Sequence, residues 1–315
     1  MKIAFCADPL AGFKTCKDST YAMMVEAARR GHEVHAFEQK DMAIESGTVV
    51  ANVARIMITD ATGTQPHWHD ALGSVAQPLS AFDAVVMRKD PPFDMEYVYA
   101  TYLLELAENQ GARVFNRPAA VRSNNEKLAI TQFPQFIAPT LVTSDEARIR
   151  AFHAVHRDII LKPLDGMGGA GIFRVRDDGM NLGAIIEGLT LHGRATIMVQ
   201  RFIPDIAQGD KRVLIIGGQV VPFCLARIPQ GGEVRGNLAA GGLGVAQPIG
   251  ARDREIAETL APILSARGLL LVGLDVIGSF MTEINVTSPT CFQEITRQTG
   301  FDVPAMFIDA LEKAV

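Results

Sequence analysis

Four glycines fall within six residues, at Gly166, Gly168, Gly169 and Gly171, and the chain enters them from the apolar run Ile159-Ile160-Leu161 through Lys162-Pro163-Leu164-Asp165. Glycines at this density let backbone N–H groups approach a phosphate with no Cβ in the way, and a lysine beside them adds a point charge. The residues after the glycines constrain the fold. Gly166, Gly168 and Gly171 match the dinucleotide spacing G-x-G-x-x-G, but that fingerprint needs a helix next, whose N-terminus faces the pyrophosphate. Here Ile172, Arg174 and Arg176 alternate with Phe173 and Val175 and stop at Asp177-Asp178-Gly179, which is the period of a strand. A β-hairpin that covers phosphates is expected, and a Walker A loop is excluded because Gly-Lys occurs nowhere. The alternative is a structural turn, which would need fewer glycines.

The surrounding chain reads as α/β. Lys2 to Asp8 is a buried strand, Asp18 or Ser19 caps a helix over 21–30 that stops at Gly31, and Glu33 to Phe37 resumes the β pattern. Strand, helix, strand with short links opens a parallel sheet. Thr48 to Thr59 is β-like, 63–81 looks like irregular surface, and a strand over 82–88, a helix over 95–110 and a strand over 112–115 close a first domain. His67 and His69 flank Trp68 with no third ligand near, so a loop pair is expected rather than a metal site.

Ser123-Asn124-Asn125-Glu126 has the capping-box pattern, opening a helix to about Gln132, and Thr143-Ser144-Asp145-Glu146 repeats it for a helix to about His156. A helix over 181–191 and a strand over 195–202 complete a small lid. A hairpin around Gly217-Gly218 leads to 228–248, about twenty residues rich in glycine, with Arg235 and Asn237 at the centre. A loop of that length is expected to be a mobile cover. A helix over 252–267, strands over 269–277 and 281–286, and a terminal helix from about Pro304 complete the chain.

At 315 residues, two or three substructures are expected. The net charge of −5, with no lysine or arginine run, argues against a nucleic-acid surface and for small-molecule chemistry. Cys6, Cys16, Cys224 and Cys291 form no C-x-x-C pair, so reduced thiols are expected. Asp8-Pro9 interrupts the apolar start before a signal-peptide core forms, and no long uncharged apolar segment occurs later, which implies a cytoplasmic chain away from membranes.

Glu283 and Asn285, two apart on a strand, present a carboxylate and an amide oxygen on one face, a donor set suited to magnesium. Asp275 lies in an apolar strand, where a carboxylate is costly unless paired or metal-bound. A three-residue turn at Gly278-Ser279-Phe280 puts Asp275 opposite Glu283; a two-residue turn points it away and counts against the site. Lys127, Lys162, Arg212 and Arg227 are candidate phosphate partners, each contributing roughly 4 kcal/mol at about 4 Å and an effective dielectric of about 20. The strand ending in Met87-Arg88-Lys89-Asp90 makes Arg88 a candidate for a substrate carboxylate, since ligands gather beyond the carboxyl ends of such strands.

Taken together, Lys17-Asp18-Ser19, Met87-Arg88-Lys89-Asp90-Pro91-Pro92-Phe93-Asp94, Asn125-Glu126-Lys127-Leu128, Lys162 to Gly169, Asp210-Lys211-Arg212, 226–233, 235–242 and Glu283-Ile284-Asn285-Val286-Thr287-Ser288-Pro289-Thr290 resemble the ATP-grasp superfamily, and closely the prokaryotic glutathione synthetases. The resemblance covers nearly the whole chain. It implies an ATP-grasp fold of mixed α/β and α+β class: an N-terminal Rossmann-like domain at 1–122, a lid at 123–202 and a C-terminal part at 203–315 carrying the mobile loop 228–248. It implies that ATP phosphorylates the carboxylate of γ-glutamylcysteine and that glycine displaces phosphate to give glutathione. Carried over, Lys127, Lys162, Gly166, Gly168 and Gly169 hold the ATP phosphates, Gln200, Arg201, Phe202 and Ile203 line the adenine slot, and Asp210 lies near the ribose. Asp275, Glu283 and Asn285 hold magnesium, or manganese in its place. Arg212, Arg227, Arg235 and Asn237 face the transferring phosphate, and Asp18, Ser19 and Arg88 meet the substrate. A homo-oligomer, a tetramer, is implied. Leu243 departs from the family, which often has a basic residue after the Gly-Gly of this loop. Two rivals remain: another carboxylate–amine ligase acting on D-alanine or peptide tails, and a nucleotide-binding regulatory protein without catalysis.

Overall fold

The computed structural model describes residues 1–65, 67–231, 236, 238 and 241–315. β1 (Lys2–Cys6), α1 (Ser19–Arg29) and β2 (Glu33–Phe37) form the expected opening, with Asp18 Oδ1 accepting from the Tyr21 amide at 2.8 Å to cap the helix. An antiparallel excursion comes next, β3 (Met42–Glu45), β4 (Thr48–Ile58) and β5 (His69–Pro78). β6 (Ala84–Met87), α2 (Met95–Asn109) and β7 (Val114–Phe115) then return to the parallel core. The sheet has seven strands, and β2, β1, β6 and β7 are parallel neighbours. These are short apolar runs, which suits strands buried on both faces.

β5 corrects the reading of 63–81 as irregular surface. Among the described residues it pairs only with β4, and it is mostly exposed, so no buried face imposes an apolar alternation on its sequence. Trp68 just before it is buried and meets Tyr21 edge-on at 4.9 Å, while His67 is exposed and bonds Asp70.

α3 (Pro118–Ser123) leads into the second unit and corrects the expected helix over 123–132, of which only a 3-10 turn at Leu128–Gln132 forms. Asn125 Oδ1 caps that turn, accepting from the Lys127 and Leu128 amides at 3.2 and 2.9 Å, and Glu126 is not part of a capping box. β8 (Thr140–Thr143), a strand beyond those expected from the sequence, precedes α4 (Glu146–His156), β9 (Ile159–Pro163), β10 (Phe173–Val175), α5 (Leu182–Thr190) and β11 (Ile197–Arg201). The cap of α4 is Asp145, accepting from the Arg148 amide, rather than the expected Thr143 box. The four strands lie in the order β10-β9-β11-β8, and β9 and β10 form the expected antiparallel hairpin. Gly168, Gly169 and Gly171 in its loop have φ of +61°, +84° and +69°, conformations that disfavour any other residue.

The third unit contains β12 (Asp210–Ile216), β13 (Gln219–Ile228), β14 (Leu243–Pro248), α6 (Ala251–Ala266), β15 (Leu271–Ile277), β16 (Phe280–Asn285), α7 (Phe292–Thr299) and α8 (Val303–Ala314). Its sheet runs β14-β13-β12-β15-β16, antiparallel throughout. β14 corrects the expected loop 228–248, because 243–248 pair with Phe223–Ile228. Arg235 and Asn237 lie outside the described residues. α7 is a further helix beyond those expected.

The buried side chains of the first and third sheets run together into shared cores, while the lid has its own small core around Ile149, Leu161, Ile186 and Val199. Asn116 fastens the first unit to the third. Its Nδ2 donates to the Leu271 and Val286 carbonyls at 2.7 and 2.8 Å, and its Oδ1 accepts from the Leu271 amide at 2.9 Å. No helix among the described residues is long and apolar enough to cross a membrane.

Candidate active site

The turn between β15 and β16 decides whether the acidic residues meet. It has two residues, Gly278 and Ser279, with Ile277 opposite Phe280 and Val276 opposite Met281. Continued unchanged, that register would place Asp275 opposite Thr282. A β-bulge intervenes, and Asp275 faces Glu283 while Gly273 faces Asn285. The expectation that a two-residue turn removes Asp275 from the site is therefore wrong, because one extra residue on β16 restores the shared face. The Thr282 carbonyl at this bulge accepts from Lys162 Nζ at 3.2 Å.

The same face carries a buried charge network. Asp275 Oδ1 lies 2.6 Å from Arg212 Nε, and its Oδ2 lies 3.2 Å from Arg212 Nη2 and 2.8 Å from Arg227 Nη2. Arg227 Nη2 also holds Asp210 Oδ2 at 2.5 Å, across the β12–β13 pair. Gly273 makes room, since a Cβ there would meet Arg212 Cδ at 2.9 Å. Burial pushes the Asp275 carboxyl up, but Arg212 and Arg227 outweigh it and hold the group well below the usual carboxylate range. Burial pushes Asp210 up to about 7, against the pull of Arg227, and its Oδ1 is buried with no partner among the described residues.

The second unit supplies the opposing wall. Lys127 Nζ reaches Glu283 Oε1 at 2.8 Å and also donates to the Gly166 carbonyl, so it ties the glycine loop to β16. Burial pushes the Lys162 ammonium down to about 8. Gln200 donates to Thr140 Oγ1 at 2.9 Å, and Arg174 lies 3.5 Å over the Phe202 ring while bonding Asp158. A cavity of about 310 Å³ between lid and sheet is lined by Lys127, Lys162, the glycines 166, 168 and 169, residues 200–203, Asp210, Arg212, Arg227, Asp275, Glu283 and Asn285. The structure thus gathers these expected phosphate, adenine and cation residues at one site. A larger open hollow of about 880 Å³ at Arg113, Arg117 and Arg267 contains none of them.

Asp18, Ser19 and Arg88 are placed differently. Arg88 is buried beneath the loop after β16, donating to Thr20 Oγ1 at 3.0 Å and to the Pro289 carbonyl at 2.9 Å. Its Nη1 is buried with no partner among the described residues. Ser19 Oγ accepts from the Phe292 amide at 3.2 Å, so both serine and Asp18 brace helix starts and do not line the cavity. The cavity is lined there instead by Asp90, Pro91, Glu126, Ser288, Thr290 and Cys291. Asp90, Pro91, Glu126, Ser288 and Thr290 fall within stretches that carry the family resemblance, and Cys291 directly follows the last of them.

The donor set fits a hard cation. Glu283 Oε2 has no partner among the described residues, and Asn285 Nδ2 donates to the Gly273 carbonyl at 3.1 Å, which leaves Oδ1 to accept. Two oxygens suffice for magnesium, which keeps waters and phosphate oxygens as its other ligands. Asp275, expected as a third ligand, has both oxygens engaged by arginines, and the described residues hold no cluster of three or more His, Cys, Asp or Glu side chains of metal-binding geometry.

Comparison with known proteins agrees with this geometry. The family described as prokaryotic glutathione synthetase, N-terminal domain, matches residues 1–122, and its ATP-grasp domain matches 126–300. A glutathione synthetase of Ralstonia nicotianae is 61% identical over 314 residues, 100% of this chain and 96% of the relative. One from Neisseria meningitidis serogroup B is 59% identical over 312 residues, covering 99% of this chain and 98% of the relative. Among solved structures, D-cycloserine synthetase DcsG superposes with a TM-score of 0.69 at 15% identity, over 99% of this chain and 100% of that one, a likeness of fold alone. An ATP-grasp RimK domain protein from Sphaerobacter thermophilus gives 0.63 at 19% identity, over 98% and 99%.

Proposed function

The chain belongs to the prokaryotic glutathione synthetase family, and on that premise we propose how its pocket carries out the ATP-dependent synthesis of glutathione. It is an ATP-dependent ligase of the ATP-grasp fold. The convergence of Lys127, Lys162, Arg212, Arg227, Glu283 and Asn285 on one cavity supports the residue roles in this reading.

Residues 200–203 hold the adenine, with Phe202 steadied by Arg174, and Asp210 Oδ1 accepts from the ribose. Lys127 and Lys162 bind the phosphates beneath Gly166, Gly168 and Gly169, whose backbone N–H groups close over them. Glu283 and Asn285 hold magnesium, or manganese, which when bound neutralises phosphate charge. Asp275, with both oxygens engaged, holds Arg212 and Arg227 in place beside the cation site. The arginines meet the charge that develops as the γ-phosphoryl group passes to the carboxylate of γ-glutamylcysteine. The neutral amino nitrogen of glycine then bonds to the acyl carbon, the C–O bond to phosphate breaks with its electron pair leaving on phosphate, and the N–H proton released as the amide forms goes to the departing phosphate. Arg88, through its unpaired Nη1, with Asp18 and Ser19 around it, serves the peptide substrate, and Arg235 and Asn237 of the segment after β13 serve the transferring group. The units 1–122, 123–202 and 203–315 act as substrate domain, lid and catalytic base of a cytoplasmic homo-oligomer.

The test is ADP and phosphate release from ATP with γ-glutamylcysteine and glycine, beside parallel reactions with D-alanine. Release that requires both γ-glutamylcysteine and glycine supports the reading, and release with D-alanine alone overturns it.

A further inference from the structure

The phosphate and cation chemistry leaves Glu126 without a part, although Glu126 lines the cavity. Three donors converge on one of its oxygens: the Val286 amide at 2.9 Å, the Thr287 amide at 3.1 Å and Thr287 Oγ1 at 2.8 Å all bond Oε1. The Glu126 carbonyl in turn accepts from the Ile284 amide at 2.8 Å. Four hydrogen bonds thus fix this residue to the end of β16, in register with Glu283 and Asn285. Among the described residues nothing bonds Oε2, and that atom is not one of the fully buried, unpartnered ones. The cavity is also lined by Asp90, Pro91, Ser288 and Thr290, none of them cationic.

A rigidly held carboxylate oxygen with no donor of its own is matched to a group rich in N–H. The phosphates and the reacting carboxylate are anions and belong with the lysines and arginines. The adenine amino group belongs with residues 200–203, on the lid. Two amino groups remain: the α-amino group of the γ-glutamyl residue, which lies at the opposite end of the peptide from the reacting carboxyl group, and the amine nucleophile, which has to reach the carbon of that carboxyl group beside Lys127 and Glu283.

Resting on the acyl-phosphate reading above, we propose that Glu126 Oε2 binds the amino group of the incoming amine and sets its nitrogen against the acyl carbon. The fixed acceptor favours an amino acid, which arrives as an ammonium and passes one proton to Oε2 before its nitrogen attacks, over water, which carries no charge to complement it. Glu126 is then a substrate-binding residue that fixes which nucleophile is used.

Glu126→Gln tests this, because the amide oxygen can keep the three donors at Oε1 while an NH2 group replaces Oε2. Two readouts are needed. The first is exchange of oxygen isotope between the β,γ-bridge and β-nonbridge positions of ATP with γ-glutamylcysteine present and glycine absent, which reports acyl phosphate formation without the amine. The second is the glycine KM. The expected result is exchange within about twofold of the wild type and a glycine KM raised about 10- to 100-fold, the loss of one hydrogen bond to a charged group. An unchanged glycine KM overturns the proposal, as does exchange that falls in step with ligation, which would make Glu126 only a brace for β16. Absence of exchange in the wild type overturns the acyl-phosphate reading itself, and this proposal with it.

Discussion

Asp275 and Arg212 face each other across the β12–β15 pair in a two-pronged contact, with Oδ1 2.6 Å from Nε and Oδ2 3.2 Å from Nη2. Both are buried, and Arg227 shares the same carboxylate at 2.8 Å. Asp275→Ala should leave two buried guanidiniums short of counter-charge and lower stability by roughly 3–5 kcal/mol. A urea midpoint that falls with unchanged slope checks this.

The same pair predicts an acid limb. The arginines hold the folded Asp275 carboxyl below its ordinary value of 3.8, so its contribution is present above that value and is lost as pH falls toward the folded one. Asp275→Asn should therefore narrow its stability gap to the wild type as pH drops below about 4. An equal gap at pH 7 and pH 3 would contradict this assignment.

Lys162 predicts a second pH dependence. Burial lowers its ammonium from 10.5 to about 8. Between those values the unfolded chain holds more protons, so this group makes stability rise with pH from about 8 upward. The proposed phosphate contact uses the charged form, so ATP affinity should weaken above about pH 8, and binding at pH 8.5 should take up protons. Calorimetry in two buffers of different ionisation heat measures the uptake, which Lys162→Gln should abolish.

Glu283→Gln should cut magnesium-dependent phosphate release by at least about a hundredfold, as expected for losing a metal's charge stabilisation. The fold should persist, because Glu283 is only half-buried and Lys127 retains the Gly166 carbonyl. Near-normal turnover with an unchanged magnesium dependence would count against the cation site.

Asn116→Ala should strand the Leu271 and Val286 carbonyls and the Leu271 amide in the interface between the first and third units. A loss of roughly 2–4 kcal/mol is expected, with turnover falling too because Val286 directly succeeds Asn285. Chemical denaturation and steady-state rates on the same preparation report both effects.

The parallel strands, the glycine hairpin and most helices are legible because each is signalled within about ten residues, by apolar period or turn chemistry. Even there, exposure matters: β5 escapes such a reading because an edge strand in water carries no apolar alternation. Ser123 to Glu126 shows the other limit. The residues have the capping-box spacing, yet one oxygen of the Glu126 carboxylate, Oε1, is taken by Val286 and Thr287, 160 and 161 residues away.

The chain's own residues thus determined the glycine-rich hairpin and the placing of Glu283 and Asn285 on one face. The tertiary structure decided that Asp275 joins that face through a bulge, that two arginines hold it there, and that Glu126 reaches the cavity. The reason is physical: periodicity and turn geometry act between near neighbours, whereas a bulge or a buried charge pair is settled by competition among partners that only the assembled sheets bring together.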